Sequence, residues 1–366
     1  MKVSVIVPLF NKAACVRRTL DSIAAQTFRD FEVIVVDDGS TDEGGDVATS
    51  YPDKRFRLVR QSNAGRGAAL NRGIADARGE IIAFLEAGQE WLPEFLSENV
   101  RVLESPRAHV AAVVCGRAES TSDGSRARRW RRRAVKEWVF RATSATSPGD
   151  LARLLASMGP SLTVARKKVL WRHGGFFGRE RCPEGEDAFL WIKVLLNEPV
   201  AFTLQPLVRE QTGRGALART YRLPRSLPPF LRYPEELHAA CPRHLKELLR
   251  GVLSLYASKA AFALAYAGRW REGRELLAHF RRDLSVLHPW ALAALLCATP
   301  VGASAIRIFR SMLARLGRRP AARSAPESPA LPASTGAAAT GGAHASAVSS
   351  APKIGTVGEL RTEHPL

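Results

Sequence analysis

VSVIVPLFNKAACVRRTLDSIAAQTFRDFEVIVVDDGS, residues 3 to 40, is the stretch on which the fold turns. Residues 3 to 7 form a β-branched run, the pattern of a strand buried on both faces. Residues 13 to 25 follow with Val16, Leu20 and Ile23 spaced four and then three apart, which lines up one face of a helix. Residues 31 to 36 are a second buried strand, ending in Asp37-Asp38-Gly39-Ser40. Strand, helix and buried strand in this order predict a parallel βαβ unit.

The alternation continues outward. A helical stretch near residues 42 to 50 leads to a strand over 56 to 59, a helix over 65 to 77 with Gly79 as its C-cap, and a strand over 80 to 85. A helix over 92 to 104 and a strand over 110 to 114 come next. Residues 116 to 149 break the pattern with an Arg cluster and read as an exposed basic insertion; order returns at 161 to 165 and at the Gly174-Gly175-Phe176 turn. Residues 242 to 280 are helical, with Leu245, Leu248, Leu249 and Leu253 on one stripe. From Arg319 onward Ala, Ser, Pro and Gly dominate without periodicity, which predicts a disordered tail. The chain therefore reads as an α/β domain over 1–215, Rossmann-like, with a mostly parallel sheet flanked by helices. A helical segment over 216–318 and a tail over 319–366 follow. In such sheets ligands bind beyond the carboxyl ends of the strands, so the segments after Val7, Val36 and Leu85 are the first candidates for a site.

The 366 residues carry 54 Lys and Arg against 35 Asp and Glu, a formal net charge of +19. Such a field favours nucleic acid, anionic lipid headgroups or phosphorylated substrates, and composition does not choose among them. The run RARRWRRR, residues 126 to 133, suits any polyanion but reads best as a solvated insertion rather than specific nucleic-acid recognition. The uncharged stretch 289 to 306 is interrupted by Pro300 and Gly302, which favours peripheral contact with an anionic membrane surface, or a packed helical pair, over a span. The five cysteines show no CxxC spacing, and the apolar run at the N-terminus is cut by Pro8. Reduced cysteines in a cytoplasmic protein, peripheral on the inner membrane face, are the expectation.

The strand ends supply Pro8, Phe10 and Asn11, then Asp37-Asp38, then Glu86 and Glu90. A carboxylate there can accept hydrogen bonds from a base or ribose, and an aromatic beside it can stack on a base. GxGxxG is missing after the first strand and GxxxxGK[ST] throughout, which argues against a dinucleotide dehydrogenase and a phosphate-loop NTPase. A nucleotide site built on side chains remains. Taken alone, Asp37 to Asp42 equally describes a turn with an N-cap, Glu186-Asp187 a solvated helix start, and Phe10 ordinary core.

VIVPLFN, SIAAQTF and VVDDGSTD resemble the N-terminal signature of family-2 glycosyltransferases. NAGRGAALNRGIADARGEIIAFLEAGQEW is similar to the family's next block, and GGFFGRERCPEGEDAFLWIKV to its acceptor-side block, in the family's order. The resemblance implies the A-type glycosyltransferase fold and inverting transfer from a nucleotide-sugar donor, most often UDP-linked, to a glycan or lipid-linked acceptor. Carried over by position, Pro8 and Phe10 line the base pocket, Asn11 lies beside them, Asp38 accepts from the base, and Arg66 holds the nucleotide. Asp187 is the general base, paired with Glu186, and Gly174, Gly175 and Trp191 lie on the acceptor side. The family's Asp-x-Asp-Asp, which binds ribose and a divalent metal (Mn²⁺ or Mg²⁺), reads Glu86-Ala87-Gly88-Gln89 here. Glu86 is then the remaining metal ligand and a weak one, with Glu90 a helix-start carboxylate out of register. Two other readings stay open: a family member that binds a nucleotide sugar or a partner without turnover, and an interaction protein driven by the Arg cluster.

Overall fold

Val3, Val5, Ile6 and Val7 are wholly buried because the strand they form has a parallel neighbour on each edge and packing on both faces. The computed structural model describes residues 1–105, 109–118, 138–182, 184–210 and 226–280, with positions 299, 302, 304 and 305. Residues 126–133, the tail 319–366 and all but four positions of the 289–306 stretch lie outside the described residues.

The chain begins β1 (Val3–Leu9), α1 (Ala13–Ala24), β2 (Phe31–Asp37), α2 (Gly44–Thr49), β3 (Phe56–Arg60), α3 (Arg66–Asp76) and β4 (Ile81–Phe84). Val3 lies opposite both Phe31 and Ile81, so β2, β1 and β4 run parallel and in step, with β3 outside β2. Their carboxyl ends therefore open on one side. Gly79 is not the C-cap of α3, whose cap is Ala77. A Cβ on Gly79 would sit 2.7 Å from Ser4 N, so this glycine lets the chain re-enter the sheet against β1. Beside it the buried Glu32 accepts from Ser4 Oγ and the Arg78 N–H; burial pushes its carboxyl up, but these bonds and Arg57 and Arg78 hold it below its ordinary value.

Beyond β4 the sheet is mixed. The order of elements is β5 (Gln89–Trp91), α4 (Phe95–Glu104), β6 (Ala112–Ala118), β7 (Trp138–Phe140), α5 (Pro148–Leu155), β8 (Thr163–Arg166), α6 (Lys167–Arg172), α7 (Glu186–Asn197) and β9 (Val200–Glu210). In space the strands run β3-β2-β1-β4-β8-β6-β9-β5, with β7 also pairing β9. β8 is antiparallel to β4 and β6, while β6 and β9 are parallel. The described flanks of the 116–149 insertion are not loop: β6 continues to Ala118, and Trp138–Phe140 pairs with β9. Glu90 lies in β5 opposite Arg209, not at a helix start.

α8 (Pro229–Arg232), α9 (Pro234–Ala240), α10 (Lys246–Tyr266) and α11 (Trp270–His279) follow. The predicted stripe holds: Leu245, Leu248, Leu249 and Leu253 are all buried. Arg243–Tyr266 is long and apolar enough to cross a membrane by length and composition, but 61% of its most apolar window is buried inside the protein. That burial fits a helix packed on α5 and α11 as part of the core.

Candidate functional site

Five segments meet where β1, β2 and β4 end. Together they wall a cavity of about 730 Å³, within the range of small-ligand sites. Pro8, Leu9, Phe10 and Lys12 come from the end of β1, Asp38 from β2, Asn63, Gly65, Arg66 and Ala69 from the start of α3, and Glu86 and Ala87 from β4. Arg181 and Cys182 close it from the segment before α7. Of the residues expected to hold a nucleotide, Pro8, Phe10, Asp38 and Arg66 share this wall. Phe10 is 46% exposed, an aromatic face left open at the rim.

Asn11 has another task. It sits at φ +50°, a left-handed conformation that asparagine tolerates. Its Oδ1 accepts from the Thr41 N–H at 2.8 Å and the Thr41 hydroxyl at 3.2 Å, while its own N–H donates to Ser40 Oγ at 3.1 Å. The side chain ties the loop after β1 to the loop after β2 and is not among the cavity residues.

Asp38 is 4% exposed and heavily engaged. Oδ1 accepts from Gln61 Nε2 at 2.7 Å and the Ala64 N–H at 2.8 Å, and Oδ2 from the Gly65 N–H at 2.9 Å. A carboxylate has about four lone-pair sites, so the chain fills most of them and leaves room for roughly one ligand bond. Asp38 thus clamps the connection from β3 to α3 and sets where Arg66 stands.

Arg66 opens α3 and bridges two carboxylates, Glu86 through Nη2 and Glu186 through Nη1. α3 can come this close because Gly67 lacks a Cβ, which would lie 1.9 Å from the Phe177 carbonyl oxygen. One turn on, Asn71 accepts from the Phe176 N–H at 2.8 Å and donates to the Phe176 carbonyl at 2.7 Å. Gly174 and Gly175, at φ +81° and +68°, turn the chain into this contact, and a Cβ on Gly175 would strike Asn71 Oδ1 at 2.5 Å. Their observed task is to dock this turn on α3. Trp191, also expected on the acceptor side, is wholly buried, edge-on to Phe176, and presents no surface to an acceptor.

Glu186 and Asp187 form the first turn of α7, entered through Gly185 at φ +89°. A Cβ on Gly185 would meet Pro228 Cβ at 2.7 Å, so α8 fixes this entry. Glu186 is 2% exposed with Arg66 as its cationic partner. Removing that partner would leave a buried carboxylate uncompensated, at a cost of about 3–5 kcal/mol. Asp187 is half-buried, and its Oδ1 accepts from the Ala188 N–H at 2.8 Å. Burial pushes its carboxyl up to about 6, with Glu186 and Glu86 pushing the same way and Arg66 opposing them. A carboxyl group poised this close to neutrality suits a general base.

Lys12, Asn63, Arg181 and Cys182 on the wall were not singled out by the sequence. Arg181 donates to the Asn63 carbonyl, and the Cys182 thiol lies 3.9 Å from Glu186 Oε2. Burial, then Glu186, pushes that thiol up to about 11, which keeps it protonated and inert. The available signal was charge: Lys12 follows the β1 signature directly, and Arg181 lies just upstream of Glu186-Asp187.

The residues at the end of β4 do not fit a protein-held divalent ion. Glu86 to Gln89 is a tight turn in which the Gln89 N–H donates to the Glu86 carbonyl at 2.9 Å. Gly88, its third residue, has φ +104°, a conformation the turn requires and an aspartate would adopt under strain. The Gly88 N–H donates to Thr19 Oγ1, whose hydroxyl donates on to the Gln89 carbonyl, and Gln89 itself is buried in β5. Glu86 is the one carboxylate left in this turn and is already paired with Arg66. Among the described residues no three His, Cys, Asp or Glu side chains are grouped to hold a metal.

Residues 4–174 match the family model for glycosyl transferase family 2. An uncharacterised glycosyltransferase of Nostoc sp. is 43% identical over 109 residues, 29% of this chain and 34% of that protein. Bacillus subtilis EpsH is 26% identical over 345 residues, 87% of each chain. Among solved structures, the 1–349 fragment of S. aureus TarS in complex with UDP-GlcNAc aligns with TM-score 0.62 at 18% identity, covering 85% of this chain and 92% of that one. Its likeness is one of fold, with a mixed sheet flanked by helices. On that fold, residues 4–174, from β1 to the Gly174 turn, carry a glycosyltransferase family 2 domain.

Proposed function

We propose that this protein transfers a sugar, with inversion, from a nucleotide-diphosphate donor to the hydroxyl of a glycan or lipid-linked acceptor. The observation that carries the reading is Asp187. It stands in the first turn of α7, in the field of the Arg66–Glu86 pair on the cavity wall, with its carboxyl pushed up to about 6. The acceptor oxygen attacks the anomeric carbon and its proton passes to Asp187. The bond from that carbon to the diphosphate oxygen breaks, and its electron pair leaves with the nucleoside diphosphate. Phe10 and Pro8 suit the base, and the remaining lone pair of Asp38 suits a donor group on base or ribose. The relative TarS was crystallised with UDP-GlcNAc, which favours a UDP-linked donor here. A divalent ion accompanies many reactions of this family, but no step is assigned to one. Peripheral attachment on the cytoplasmic face of a membrane, where lipid-linked acceptors lie, is part of the same reading.

A second reading, nucleotide-sugar binding without turnover, is favoured by the loss of carboxylates at Gly88 and Gln89. A thermal-shift screen across nucleotide sugars, followed by nucleoside-diphosphate release and NMR of the product anomer, separates them. A stabilising donor that is turned over with inversion supports transfer. A stabilising donor never consumed with any glycan or lipid-linked acceptor supports binding alone.

A further inference from the structure

Arg66 is positioned by two carboxylates. Its two terminal nitrogens meet Glu86 and Glu186, and its Nε is buried with no hydrogen-bond partner. A buried N–H left unpaired is costly, and Arg66 itself lines the cavity. The two carboxylates also hold the guanidinium above its already high ordinary value, although burial opposes them, so it stays charged. Lys12 and Arg181 stand on the same wall, bringing to three the basic side chains that line the cavity among the described residues. The turn from Glu86 to Gln89, meanwhile, has given up the positions from which carboxylates would hold an ion.

We propose, resting on the reading above as a nucleotide-sugar site, that Arg66 is the cation that receives the donor's diphosphate. Glu86 and Glu186 hold it in place, Lys12 and Arg181 assist, and no protein-held divalent ion is required. A guanidinium presents five N–H donors in a planar fork, so it can keep one carboxylate and still offer donors to phosphate oxygens. Glu86, read from the sequence as a weak metal ligand, becomes the anchor of that arginine. As the sugar leaves, the electron pair arriving on the diphosphate oxygen is met by these three cations. Of these, Arg66 is already positioned by Glu86 and Glu186 before the sugar leaves.

The test is calorimetric and uses the full chain with UDP and GDP as probes, each in EDTA and in Mn²⁺. The parent is expected to bind one of them with a dissociation constant that Mn²⁺ changes by less than about threefold. Arg66→Gln should weaken that nucleotide by about 10- to 100-fold in EDTA while leaving the matching nucleoside, which lacks phosphate, unaffected. Because Arg66→Gln strands the buried Glu186, the pair Arg66→Gln with Glu186→Gln is measured alongside and should show the same selective loss. Binding that vanishes in EDTA and returns with Mn²⁺ would overturn the proposal while leaving the nucleotide site standing. Equal loss of nucleoside and nucleotide in both variants would overturn it as well, since Arg66 would then be shaping the pocket only. If neither UDP nor GDP binds under either condition, the nucleotide-site reading fails, and this inference fails with it.

Discussion

Asp38 and Glu86 stand just past the ends of β2 and β4, the two strands that flank β1, and they are held in opposite ways. Asp38 is 4% exposed and accepts two backbone N–H groups and a glutamine amide from the connection between β3 and α3. Glu86 has a side chain 26% exposed and is paired with a single guanidinium. Backbone donors cannot leave Asp38 unless the 61–65 connection unfolds, whereas Arg66 can turn one N–H from a carboxylate to a phosphate by a side-chain rotation. One end of the cleft is scaffold and the other is exchangeable. The exchangeable end lies beside Asp187, where the proposed transfer would move charge.

The largest effect should come from the exchangeable end. Asp187→Asn keeps the shape and cannot take a proton, so turnover should fall by about 10²- to 10⁴-fold with donor affinity intact. Stability should move the other way. Asp187 has a folded value of about 6 against an ordinary 3.8, so the folded state prefers it neutral. That preference stabilises the parent fully below about pH 4 and is lost as pH rises through 6. Asp187→Asn should therefore melt higher than the parent at pH 8, with the gap closing below pH 4. Wild-type turnover in the variant, followed as nucleoside-diphosphate release, would remove Asp187 from the mechanism.

At the scaffold end the effect should be on folding. Asp38→Ala leaves the Ala64 and Gly65 N–H groups and the Gln61 amide without their acceptor, which should cost about 2–3 kcal/mol in urea unfolding. Glu86→Ala should cost less than about 1 kcal/mol, because Glu86 is partly exposed and Arg66 keeps Glu186. Donor affinity should fall in Asp38→Ala as the α3 entry loosens. Equal stability losses in the two variants would erase the distinction between the ends.

Much of this was legible in the chain. The β1–α1–β2 unit showed itself because strands buried on both faces leave runs rich in β-branched residues, and Glu186-Asp187 announced the start of α7. β5 and β7 have three residues each, too few to show a period, and β9 carries Gln205 and Pro206 within its run. Their pairing is settled by tertiary contact. The same holds for the Arg66–Glu186 pair, 120 positions apart in sequence, and for Gly88, whose glycine is explained only by the turn it occupies. Asn11 and Trp191 were assigned by position in a block. A block's position does not reveal that one side chain is spent on a neighbouring loop and the other lies in the core.

The smallest effect bears most directly on the exchangeable end, because it reads the field at Asp187 without removing that carboxylate. A general base works as its carboxylate, so turnover of the parent should rise with pH through about 6 and level off above it. The Arg66 guanidinium lowers the Asp187 value and the Glu86 carboxylate raises it. Glu86→Gln should therefore move the midpoint of the pH–rate profile down, and Arg66→Gln should move it up, each by up to about one pH unit. The opposite signs matter more than their sizes, since a loosened fold would shift both profiles the same way. Two midpoints displaced in one direction, or neither displaced, would show that Asp187 does not sense the Arg66–Glu86 pair. The β4 end would then be as fixed a scaffold as Asp38.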